Sequence, residues 1–96
     1  MADQIISEQD IINAICIEQA HSHTVQPEDV EVELLYDDEY GFSAEAHIGS
    51  QVYVLSTFEM IQAIRFWIEH VLHEDPYAAG LKLLLDREEG IIAAMH

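Results

Sequence analysis

Glu69-His70-Val71-Leu72-His73-Glu74-Asp75 is the segment whose residue types could most readily do chemistry. Glu69 and His73 stand four apart, and so do His70 and Glu74. On a continuous helix each pair shares one turn, and an imidazole beside a carboxylate suits zinc, nickel or manganese. His21 and His23 could add ligands, although nothing in the sequence brings them near. The plainer reading weighs more. Histidines near a helix C-terminus interact favourably with its macrodipole when protonated, and tight metal sites take three or four protein ligands.

Cys16 is the one cysteine. A reactive thiol needs a cationic neighbour or an adjacent base, and acidic surroundings push a thiol the wrong way. Cys16 therefore reads as a small buried apolar residue. Asp37-Asp38-Glu39-Tyr40-Gly41 is acidic but lacks the alternating oxygen ligands and the distant Glu of a calcium loop, and reads as a hairpin tip. The chain has no glycine-rich phosphate cradle, no G-x-S-x-G elbow and no zinc-finger cysteine spacing. No catalytic residue and no cofactor is expected, a divalent metal being the alternative.

The elements that position these residues follow from capping and periodicity. Ser7 can cap a first helix over about residues 8–22, with Ile11, Ile12 and Ile15 on one face and Cys16 at its edge. Ile17 falls on the other side, beside Asp10, Asn13 and His21. Residues 22–29 connect. Val30, Val32, Leu34 and Tyr36 then alternate with polar residues, as do Phe42, Ala44, Ala46 and Ile48. Gly49-Ser50 is a two-residue hairpin signal, and 51–55 is a third strand. Ser56-Thr57-Phe58-Glu59 is a capping box that opens a second helix to about residue 74, where Asp75-Pro76 stops it. Residues 81–85 read as a strand, with a helix as the alternative, and 91–95 as a last strand.

The expected architecture is a single small α+β domain over residues 1–96. Its order is α-β-β-β-α-β-β, an antiparallel sheet with two main helices packed on one face.

Phe66 lies in the polar arc of the second helix, among Glu59, Gln62, Arg65, Glu69, His70 and His73. With Ile17 it places an apolar side chain on the wrong side of each main helix, which suggests a second buried surface. Ile17, Phe66 and the adjacent Trp67 are the candidate interface residues, and a homodimer is the expected state.

Nineteen Asp and Glu against three Lys and Arg give a formal charge of −16, while half the residues are hydrophobic. A disordered acidic tail would lack those side chains. With only Lys82, Arg65 and Arg87 to meet phosphates, direct nucleic-acid binding and anionic membranes are disfavoured. A basic protein partner fits the field. Glu31 and Glu33 would point the same way, about 6–7 Å apart on a strand, as successive phosphates do. An acidic effector or nucleic-acid mimic is therefore the alternative to the homodimer. Met1-Ala2-Asp3-Gln4 shows no basic, apolar leader, no run is long enough for a membrane span, and an unpaired cysteine suits a reducing compartment. A soluble cytoplasmic protein is expected.

The opening Ile5-Ile6-Ser7-Glu8-Gln9-Asp10-Ile11-Ile12-Asn13 and the closing Asp86-Arg87-Glu88-Glu89-Gly90-Ile91-Ile92 resemble the YxcD-like family of short acidic proteins of unknown function from Bacillus-type bacteria. The resemblance covers most of the chain. It implies no activity, cofactor or catalytic residue.

Overall fold

Ser56 and Glu59 close a reciprocal cap. The Ser56 hydroxyl accepts the Glu59 N–H at 3.2 Å, and Glu59 Oε1 accepts the Ser56 N–H at 3.0 Å. Helix α2, Thr57–His70, starts there. Ser7 caps α1, Glu8–His23, in one direction only, accepting the Asp10 N–H at 3.1 Å. Each cap satisfies backbone donors that the first helical turn leaves without intrahelical partners. In α1, Ile11, Ala14 and Ile15 are fully buried, and in α2 so are Met60, Ala63 and Ile64. The two helices pack against each other along these stripes.

The computed structural model describes residues 4–96; the reading of Met1-Ala2-Asp3 as free of a leader lies outside the described residues. Strand β1, Gln4–Ile6, precedes α1. After a 3-10 turn at Pro27–Asp29 come β2, Val30–Asp37, β3, Gly41–Ile48, and β4, Gln51–Leu55. Strands β5, Leu81–Asp86, and β6, Gly90–Met95, follow α2.

The α+β class and the order of the main elements are those expected, and 81–85 is strand. The strands, however, divide into two antiparallel sheets, ordered β2-β3-β4 and β1-β6-β5. Helix α2 and the segment after it separate β4 from β5, and β6 takes β1 as its second neighbour, with Ile6 opposite Ala93. The sequence reading had no element at Gln4–Ile6.

One device closes two of the hairpins. Asp37 Oδ1 accepts the N–H groups of Glu39 and Tyr40, and Gly41 follows at φ +82°. Asp86 Oδ1 accepts those of Glu88 and Glu89, and Gly90 follows at φ +78°. An aspartate that holds the turn and a glycine in the left-handed region make a three-residue loop with a bulge.

Helix α1 touches both sheets, through β2 and β6, whereas α2 rests on β3 and β4. Val30, Ala44, Ala46 and Leu55 from one sheet and Ile6, Leu83, Ile91 and Ala93 from the other join the helices in one core. Full burial of each large aliphatic side chain contributes about 1.5–3 kcal/mol.

Candidate functional site

Helix α2 ends at His70, four residues before Glu74, so Glu69, His70, His73 and Glu74 do not share one helical turn. This corrects the expected helix end near residue 74. Val71 and Leu72 both donate to the Trp67 carbonyl, and His73 turns the chain at φ +56°. The reversal has a tertiary cause. Arg65 Nη1 donates to the Pro76 carbonyl at 2.6 Å, and its guanidinium lies 4.8 Å from the Tyr77 ring centre. These contacts draw the segment back along α2, and a longer helix would carry it away. His70 Nε2 stands 3.6 Å from Glu69 Oε1, and both side chains are more than half exposed.

The other two histidines considered as ligands are occupied by rings. His21 lies 5.2 Å from Phe66 and His23 lies 4.1 Å from Tyr53, between ring centres.

Among the described residues, three potential ligand atoms do converge, at Glu33, Glu45 and His47, all within 4.8 Å of one another. The β2–β3 register sets Glu33 opposite Glu45, and His47 follows two residues along the same face. His47 Nε2 is 3.4 Å from Glu45 Oε1. Two carboxylates and an imidazole are ligand types that suit zinc or manganese. Sequence reading missed this group because its members lie on two strands. The alternation of Glu31 with Glu33 and of Glu45 with His47 was the available signal, and only the register joins them.

The candidate interface residues are partly covered by their own chain. Trp67 is 9% exposed and belongs to the core. Ile17 is half-buried and packs against that core. Phe66 is half-buried, with His21 on one side and the His70 ring at 4.2 Å. Ile17, Trp67 and Val71 also line a cleft with Asp10, Asn13, Cys16, Pro27 and Glu28. Cys16 donates its thiol proton to the Val30 carbonyl at 3.4 Å, and burial pushes the thiol pKa above its ordinary value. That is opposite to what nucleophilic activation needs.

The sheet β1-β6-β5 has a different character from the rest of the molecule. Its strands contain one acid, Asp86, and one base, Lys82. Residues 76–85 and 90–96 hold no Asp or Glu at all. Strands β2 and β3 carry Glu31, Glu33, Asp37 and Glu45. Leu83, Ile91, Ala93 and Ile6 face the core, yet the opposite face is also largely apolar, with Ile5 across from Ala94 and Leu84 across from Ile92. On that face Ile5 is 57% exposed; Leu85, equally exposed, lies at the hairpin end of the core-facing row with Leu83. No helix among the described residues is long and apolar enough to cross a membrane.

The chain is 32% identical over 90 residues to the uncharacterized protein YxcD of Bacillus subtilis (strain 168), an alignment that covers 93% of this chain and 88% of that protein. No solved structure matches. The family model described as protein of unknown function, DUF2653, matches residues 1–88, which together with the relative bears out the resemblance to the YxcD-like family. The chain belongs to the DUF2653 family.

Proposed function

We propose that this chain is a non-enzymatic cytoplasmic protein that works through protein contacts as a homodimer. The observation that carries the reading is the β1-β6-β5 sheet, apolar on both faces and almost free of acids in a chain of charge −16. Strand β5 ends this sheet, and a second copy can pair with its outer edge where few acids repel it. Self-association through this sheet also keeps the acidic strands of the two copies apart. Light scattering on the eluting protein tests it. The expected mass is twice 10.9 kDa. Association should tighten as salt rises, because salt screens the repulsion between two anionic copies. A single-chain mass at every concentration and salt level would end the reading.

A second reading is an acidic effector that binds a basic protein. It is favoured by the exposure of Glu31, Glu33, Asp37, Asp38 and Glu39 along β2 and its hairpin tip. Its salt dependence has the opposite sign, since capture by exposed charge weakens as salt rises. Pull-down at low and high salt separates the two.

A further inference from the structure

We infer that β5 is the contact strand of the homodimer, two copies pairing antiparallel edge to edge about a two-fold axis through Leu84. The inference rests on the homodimer reading above and adds to it a strand, a register and a pair of charges.

Among the described residues strand β5 ends its sheet, and no strand pairs with its outer edge. Gly80 and His96 exchange both backbone hydrogen bonds, at 2.7 and 3.1 Å. Antiparallel pairing alternates between such exchanged pairs and open ones. With Lys82 opposite Ala94 and Leu84 opposite Ile92, the backbone groups of Lys82, Leu84 and Asp86 turn toward β6. Those of Leu81, Leu83 and Leu85 turn to the open edge. A second β5 can therefore pair there with Leu83 of one copy opposite Leu85 of the other.

That register satisfies the side chains as well. A two-fold axis at Leu84 sets Lys82 of each copy opposite Asp86 of the other, and opposite charges across a strand pair stabilise it. These are the one base and the one acid in the sheet. The same register lays Leu83 of one copy over the exposed Leu85 of the other.

The other long edges fit less well. Strand β2 would bring Glu31, Glu33 and Asp37 toward their own copies. Strand β4 has exposed Val52 and Val54, but on that face its neighbours on β3 are Glu45 and His47, with Glu33 beyond, and it carries no charge to set a register.

Cysteine cross-linking in a Cys16→Ser background tests the register. Residues directly opposite in an open antiparallel pair have Cα atoms about 4.5 Å apart, within the roughly 4.4–6.8 Å that a disulfide spans. Leu84→Cys should therefore give a disulfide-linked dimer with a mild oxidant. Lys82→Cys should not, because its thiols stand four residues apart along the strand pair, about 13 Å. Lys82→Glu, at an exposed position, should weaken the dimer about tenfold by turning two attractions into repulsions. Phe66→Glu should leave the dimer intact.

If the wild-type protein is a single chain, both this inference and the homodimer reading fall. A wild-type dimer that ignores Lys82→Glu and gives no Leu84→Cys cross-link overturns β5 pairing alone. Dissociation by Phe66→Glu, or cross-linking confined to cysteines at positions 52–54, does the same.

Discussion

The Glu8 carboxylate accepts the backbone N–H of Ile91 at 2.9 Å, across 83 positions of sequence. It ties the first turn of α1 to the start of β6, where Gly90 sits at φ +78° with no side chain to obstruct the approach. A Cβ at Gly90 would run into the Glu8 carboxylate. Glu8→Ala is expected to cost about 1.5–3 kcal/mol, as befits a backbone N–H bonded to a charged group. Gly90→Ala should cost more than the roughly 1–2 kcal/mol of left-handed backbone alone, because the clash adds to it. Urea unfolding of the two variants checks both. In the double variant the clash is gone, so the two losses should fall short of additivity.

The second turn aspartate gives a pH dependence of known sign. Hydrogen bonds from the Glu89 and Glu88 N–H groups hold the Asp86 carboxyl below its ordinary pKa. A carboxylate lowered in the folded state contributes stability that is present above its unfolded pKa and is lost as pH falls through the folded one. Asp86→Asn should therefore be less stable than the parent at neutral pH. The gap should close as pH drops below about 3.9, the ordinary aspartate value. Unfolding curves taken from pH 7 down to the acid limit measure it.

Cys16 should alkylate slowly. Its pKa is raised by burial and its proton is directed at the Val30 carbonyl, so little thiolate is present near neutral pH. Iodoacetamide is expected to label the folded protein more slowly than the urea-unfolded chain at the same pH. Equal rates would show that the thiol is open.

At the β2–β3 hairpin, Glu33 faces Glu45 directly. Like charges opposite one another oppose pairing, so Glu33→Gln should stabilise the protein by about 0.2–1 kcal/mol, and the gain should shrink in high salt. The same position tests the convergence of Glu33, Glu45 and His47 as a cation site. If zinc, nickel or manganese binds there, its calorimetric heat would persist in the His70→Ala, His73→Ala double variant and vanish when Glu33→Gln is combined with His47→Ala.

What the sequence made legible was local. Ser56 with Glu59, Gly49-Ser50 and the alternation along 30–36 each specify their element through neighbours a few residues away, and all three appear as read. The end of α2 was not legible, because Arg65 holds the Pro76 carbonyl eleven residues on and forces an early reversal. Strand β1 was missed because three residues are too few to show a period, and its pairing partner lies at the far end of the chain. The group of Glu33, Glu45 and His47 was invisible for a related reason: a register, unlike a cap, is a property of two strands at once. Phe66 read as an exposed apolar residue because nothing in its own helix pattern announces that His21 of α1 will lie against it.

The uneven sharing of charge between the two sheets has a dynamic consequence. Glu31, Glu33, Asp37 and Glu45 crowd one sheet, while the other carries a single acid and a single base in its strands. The field of an approaching neighbour exerts a torque on such a molecule before the two touch. On the homodimer reading, two approaching copies would be aligned in advance with the acid-poor sheets leading, so that the acidic coat would guide collision rather than merely prevent it.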